Sequence, residues 1–228
     1  MIRNIIFDIG KVLVSYEPDA YMESLGISRE DQKKINAAMF ENKLWDESDQ
    51  GLRTPDEFLQ AFIQGAPELA DTIRKLHTTV GNTVELLPYA MDWILDMKAR
   101  GYHVYILSNY GENMLNQTEE KLAFLPLMDG VVFSYRIKKL KPDPAIYEYL
   151  CDEYQLEPEE SVFIDDRQVN IDGAEKVGIH GIVFHSYEQA KNELDEFLAR
   201  AADIRDMGEP MQEKEWLGIT YCGMDGKT

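Results

Sequence analysis

Four short stretches carry the residues able to do chemistry on an anionic substrate. They are Asp8 in IIFDIG, Ser108-Asn109 in ILSN, Lys141 in KKLKPDP and Asp165-Asp166 in FIDD. Three carboxylates brought to one place repel one another, which favours a bound cation or partial protonation. Oxygen-only ligands suit a hard divalent ion such as magnesium, which also accepts phosphate oxygens. A hydroxyl and an ammonium beside it complete an anion site. That set permits in-line phosphoryl transfer to a carboxylate nucleophile, with cation and lysine neutralising the equatorial oxygens. Taken singly, each residue has an ordinary reading. Asp8 is a turn former, Ser108-Asn109 is turn chemistry, Lys141 is a solvated loop charge, and Asp165-Asp166 cap a helix. Their shared order and strand placement are what independent caps would not produce. Lys138 and Lys139, in the same basic loop, read as solvated.

The elements that must position these residues follow from the pattern of the chain. Residues 2–9 read as a buried strand closed by a tight turn, in which any left-handed residue is assigned to Gly10. From Tyr16 to about Leu87 only helix signals appear. Ser28 caps SREDQKKINAAMF, Thr54-Pro55 opens TPDEFLQAFI and Pro67 opens PELADTIRKLH. Strand and helix then alternate. PYAMDWILDMKAR is a helix, HVYILS (103–108) a strand, 112–122 a helix and VVFS (131–134) a strand. A helix over 144–155, the strand SVFID (161–165), a helix near 169–177, the strand GIVFH (181–185) and the helix YEQAKNELDEFLAR complete the series. This alternation predicts an α/β fold, a Rossmann-like doubly wound parallel sheet, with ligands bound beyond the carboxyl ends of the strands. The chain divides into a discontinuous core (1–15 and 86–203), a helical insert (16–85) and a C-terminal extension (204–228).

Composition narrows the function classes. The chain has 228 residues, enough to bury a core without staples. Its 42 acidic and 23 basic residues leave a formal charge of −19, which repels phosphate backbones and anionic lipid. Nucleic-acid and membrane partners are therefore not expected. The two cysteines, Cys151 and Cys222, form no framework. No signal-peptide pattern and no membrane-length apolar run is seen, so a cytoplasmic location is expected.

Together FDIGKVLV, ILSN, KLKPDPAIY and FIDDRQVNIDGA resemble the four motifs of the haloacid dehalogenase superfamily, mostly phosphatases, across residues 2–185. The long interval between Asp8 and Ser108 leaves room for a helical first cap, while that from Ser108 to Lys141 is too short for a second. The resemblance implies that Asp8 is a nucleophile that becomes an aspartyl-phosphate. Ser108 and Asn109 would hold phosphoryl oxygens, and Lys141 would bridge nucleophile and phosphoryl group. Magnesium would be held by Asp8, the Gly10 carbonyl and Asp166, with Asp165 in support. Asn170 completes a DDxxxN arrangement, or simply sits on the first turn of the next helix.

One position departs from the family pattern. Most family phosphatases carry a second aspartate two residues after the nucleophile, to protonate the leaving group; here that residue is Gly10. General acid catalysis is typically worth ~10²–10⁴ in rate. The loss restricts substrates to good leaving groups unless another group substitutes, and it argues against mutase activity. The Asp-x-Gly start resembles the branch containing α-D-glucose-1-phosphate phosphatase and the epoxide-hydrolase phosphatase domain. The expected activity is magnesium-dependent hydrolysis of a small phosphorylated metabolite such as an anomeric sugar phosphate. A 2-haloacid dehalogenase-like hydrolase and a non-catalytic binding module are the alternatives. Within the cap, Trp45, Asp46, Asp49 and Arg53 of LWDESDQGLRT either face the crevice or form a plain helix–helix connection.

Overall fold

The computed structural model describes residues 1–206, with side chains to Arg200. Five strands, β1 (Asn4–Phe7), β2 (His103–Ser108), β3 (Gly130–Phe133), β4 (Ser161–Asp165) and β5 (His180–Val183), form one parallel sheet in the order β3-β2-β1-β4-β5. The order runs outward in both directions from β1, so the carboxyl end of β1 is the topological switch point where such sheets bind ligands. Strand ends differ from the expected spans by one to two residues. The first strand is trimmed at both ends, β3 stops at Phe133 because Ser134 already begins a helix, and β5 starts at His180.

Between β1 and the next core helix the chain is helical: α1 (Pro18–Ser24), α2 (Arg29–Ile35), α3 (Lys43–Asp49), α4 (Pro55–Gly65) and α5 (Ala70–Thr78). Local chemistry explains the starts. Ser28 Oγ accepts from the Asp31 amide, Asn42 Oδ1 from the Leu44 amide, and Thr54 and Glu57 form a reciprocal capping box. The helix expected over SREDQKKINAAMF loosens into a π-turn at Asn36–Phe40, and PEL begins as a 3₁₀ turn before α5. Phe58, Phe62, Met39 and Ile35 bury the interior of this insert.

The core helices are α6 (Ala90–Ala99), α7 (Glu112–Thr118), α8 (Ser134–Ile137), α9 (Pro144–Tyr154), α10 (Gln168–Glu175) and α11 (Tyr187–Asp206). Alternate strand residues divide between two faces, as a period of two demands. Ile5, Phe7, Val104, Ile106, Val162 and Ile164 join Trp93 of α6 and Leu194 of α11 in the larger apolar cluster, which continues into the insert. Ile6, Tyr105, Leu107 and Phe163 pack with Tyr147 of α9 and Ile171 of α10 on the other face. Cys151 belongs to that second cluster, where burial pushes its thiol up to about 11. Cys222 lies outside the described residues, as does the C-terminal extension from residue 207; α11 itself runs three residues beyond 203.

The chain passes from core to insert and back along two adjacent segments. Val14 and Leu86 form an antiparallel bridge. The Ser15 amide donates to Glu85 O (2.8 Å), Glu17 N to Thr83 O (2.8 Å) and Leu87 N to Leu13 O (3.0 Å).

Candidate active site

Register brings the motif residues together. Phe7 stands opposite both Ile106 and Ile164, so Asp8, Ser108 and Asp165 emerge from one sheet edge on three neighbouring strands. Asp8 is buried, and its Oδ1 accepts from Ser108 Oγ (2.6 Å) and the Ile9 amide (2.7 Å) while facing Lys141 Nζ at 2.9 Å. Among the described residues these three donors all meet Oδ1, which leaves Oδ2 with lone pairs to spare. Burial, opposed by Lys141 and reinforced by Asp165, raises Asp8 to about 6.

Lys141 lies between two carboxylates, with its side chain 1% exposed and Nζ 2.6 Å from Asp165 Oδ2. Burial pulls the ammonium pKa down, but Asp165 and then Asp8 outweigh it, so the group is held above its usual range. This is far from the solvated loop charge that composition alone suggests. Two side chains fix the lysine in place. Asn109 accepts from the Lys141 amide (2.8 Å) and donates to its carbonyl (3.1 Å). Asn170 Nδ2 reaches both oxygens of Asp165 (2.9 and 3.0 Å), and the Arg167 amide donates to Oδ1 (2.8 Å). Gly173 of α10 approaches so closely that a Cβ there would lie 2.6 Å from Pro142 O, which brings this helix against the lysine loop.

These contacts alter two expectations. The Asn109 side chain clamps the Lys141 backbone with its oxygen and one of its two N–H groups, a role beyond the one expected of it. Asn170 is more than a first-turn residue, since it orients Asp165. The turn after β1 differs as well. Lys11 takes the left-handed conformation (φ 60°), Gly10 does not, and a Cβ at Gly10 would meet nothing within 4 Å.

Asp8, Asp165 and Asp166 each offer an oxygen, all within 4.8 Å of one another. Burial, and next the Asp165 charge, raise Asp166, while Lys11 and Lys141 pull it down. Three crowded carboxylates with one ammonium lack positive charge, and an all-oxygen set of this kind fits magnesium. Asp165 already spends its lone pairs on Lys141, Asn170 and the Arg167 amide, whereas Asp166 is half-buried and has no side-chain bond of that kind among the described residues.

The insert closes the other side of a cavity of about 130 Å³. Asp8, Gly10 and Ser108 form its core wall; Tyr16, Trp45 and Asp49 form its insert wall. KLWDESD is thus the helix α3 with Trp45 and Asp49 on the crevice, while Arg53 pairs with Glu47 (3.2 Å). Lys138, read as solvated, instead donates from Nζ to Gly51 O, and Lys139 donates to Ala145 O (3.2 Å). No described helix is long and apolar enough to cross a membrane.

Comparison with known proteins agrees with this geometry. The model of the haloacid dehalogenase-like hydrolase family matches residues 2–178. A D-ribitol-5-phosphate phosphatase of Bacteroides thetaiotaomicron is 25% identical over 189 residues, covering 78% of this chain and 89% of the relative. A sesquiterpene phosphatase of Aspergillus oryzae is 28% identical over 183 residues, 78% of this chain and 87% of its own. In three dimensions, a Bacteroides thetaiotaomicron enzyme of the same family, solved with magnesium and inorganic phosphate, superposes with a TM-score of 0.65 at 22% identity. That match covers 80% of this chain and 94% of the other.

Proposed function

The chain belongs to the haloacid dehalogenase-like hydrolase family, and on that premise we propose that it is a magnesium-dependent phosphatase of a small phosphorylated metabolite. The observation that carries this reading is the buried Asp8–Lys141–Asp165 array, with Asp8 Oδ2 left open beside a three-carboxylate cluster. Asp8, Asp166 and the Gly10 carbonyl would hold magnesium, with Asp165 supporting. When bound, the ion supplies positive charge against the phosphoryl oxygens. Asp8 Oδ2 attacks phosphorus, while Ser108, the Ile9 amide and Lys141 keep the carboxylate turned by its Oδ1. The Lys141 ammonium also faces the transferring group, and Asp165 and Asn109 hold it there. Water then hydrolyses the aspartyl-phosphate.

A cavity of about 130 Å³ is close to the ~150 Å³ that encloses one benzene ring. A small metabolite suits such a space, and an anomeric phosphate would ask least of a leaving-group acid. A 2-haloacid dehalogenase reading fares worse, because three carboxylates compensated by a single ammonium repel a haloacid's own carboxylate. The test is a screen of phosphorylated metabolites with magnesium and with chelator. Turnover that needs the ion and disappears in Asp8→Asn supports the proposal. Metal-independent turnover, or a tenth of wild-type activity remaining in that variant, refutes it.

A further inference from the structure

We propose that Asp49, carried by the insert, is the acid that protonates the leaving group in place of the aspartate missing at Gly10. This rests on the phosphatase reading above. Among the described residues, Asp8 and Asp49 are the two carboxyl groups lining the cavity, one from the core and one from the insert. Asp8 is committed to attack. Gly10 sits on the same cavity, and the space around its absent Cβ is open, so nothing stands where the usual acid would reach the ester oxygen.

Asp49 is also held in position. It ends α3, and its carbonyl accepts from the buried Ser134 Oγ at the start of α8. The next two residues are bonded to the same core loop. Gln50 Nε2 donates to Lys138 O (2.9 Å), and Lys138 Nζ donates to Gly51 O. On the far side, a Cβ on Gly111 would lie 3.2 Å from Asp49 Oδ1, so α7 begins in tight contact with the carboxyl. Beside it, Tyr16 lines the cavity, and its hydroxyl is buried with no hydrogen-bond partner among the described residues.

The surroundings favour the proton-bearing form. Burial first, then Asp46 on the same helix and Asp8 across the cavity, hold Asp49 well above the usual carboxylate range. The Gly111 amide and Lys141 act the other way, and Tyr16 and Tyr110 are the remaining titratable groups coupled to it. As Asp8 Oδ2 bonds to phosphorus and the P–O ester bond breaks, the Asp49 proton passes to the departing oxygen and gives the free alcohol. Asp49, now a carboxylate, accepts a proton from the water that attacks the aspartyl-phosphate. That attack releases inorganic phosphate and returns both groups to their starting states.

The experiment compares single-turnover rates for a series of alkyl and aryl phosphates, using the full chain with magnesium. Asp49→Asn should lose about 10²–10⁴-fold on alkyl esters, the span typical of general acid catalysis, and far less on aryl esters, which leave unaided. Gly10→Asp added to Asp49→Asn should recover the alkyl esters, a rescue that a purely structural role for Asp49 would not give. Wild-type rates should depend only weakly on leaving-group pKa. A steep wild-type dependence overturns the assignment without requiring any variant to fold. Equal losses on both ester classes, or none on either, also overturn it. Retained turnover in Asp8→Asn would instead overturn the phosphatase reading beneath it.

Discussion

Replacing Lys141 by methionine keeps the length of the side chain and removes its charge from between Asp8 and Asp165. At separations of 2.9 and 2.6 Å, an effective dielectric of about 20 makes each attraction worth roughly 6 kcal/mol before desolvation. Most of that is offset, because the wild-type ammonium gives up several kcal/mol of hydration on burial. The net cost is then the typical one for stripping one partner from a buried pair, about 3–5 kcal/mol. For a chain of this length each kcal/mol moves Tm by roughly 2–4 °C, so Lys141→Met should melt lower by about 6–20 °C in chelator. The variant leaves three crowded carboxylates with no buried counter-charge, so a divalent cation should stabilise it more than it stabilises wild type. Urea unfolding and calorimetry, each with chelator and with millimolar magnesium, measure both effects. A loss below about 1 kcal/mol, or a magnesium shift no larger than wild type's, would show that Lys141 is not the charge holding this cluster together.

Three further outcomes are expected. Millimolar magnesium should raise the Tm of wild type by mass action, and Asp166→Asn should lose most of that shift; an unchanged shift in calorimetry places the ion elsewhere. Gly51→Ala should cost about 1–3 kcal/mol in urea unfolding, because φ is +67° and the new Cβ would lie 2.6 Å from Lys138 Nζ and 2.8 Å from Tyr135 O; a neutral result would mean that this junction is loose in solution. Burial holds the His77 imidazole below its ordinary 6.5, opposed by Asp56, so the unfolded chain takes up that proton first as pH falls. His77 should therefore cost stability progressively below pH 6.5, and His77→Gln should flatten that acid limb in unfolding titrations.

The parts of the site attached to strands were legible in the amino-acid sequence, because a buried parallel strand announces itself as a short apolar run and ends at a polar residue. Asp8, Ser108 and Asp165 belong to that class. What the pattern could not show is direction. Nothing in ILSN shows that the Asn109 amide clamps Lys141, and Lys138 looks solvated until its ammonium meets Gly51. Asp49 is the clearest case. Its helix is short and bears its aromatic contacts by tertiary packing, with Trp45 against Phe40 at 5.0 Å and Phe62 at 6.3 Å. Nothing local says which face of such a helix turns toward a sheet edge distant in the chain. The one available signal was the clustering of Trp45, Asp46 and Asp49 in a stretch otherwise devoted to helix packing. The first turn shows the same limit, since glycine permits the left-handed conformation without requiring it and Lys11 adopts it instead.

The paired crossing segments at Val14 and Leu86 have a consequence for descent with modification. Because entry and exit are hydrogen-bonded neighbours, deleting everything between them would leave two ends one strand spacing apart, near enough for a tight reverse turn. Loop-closure entropy rises only slowly with the length inserted there. The junction is a docking port into which cassettes of different size can be spliced without retuning the sheet. Asp8 and Lys141 stay with the host, whereas Tyr16, Trp45 and Asp49 travel with the cassette. With the roles proposed above, a single exchange would change the choice of alcohol and the means of protonating it together, so the two traits would be inherited as one unit.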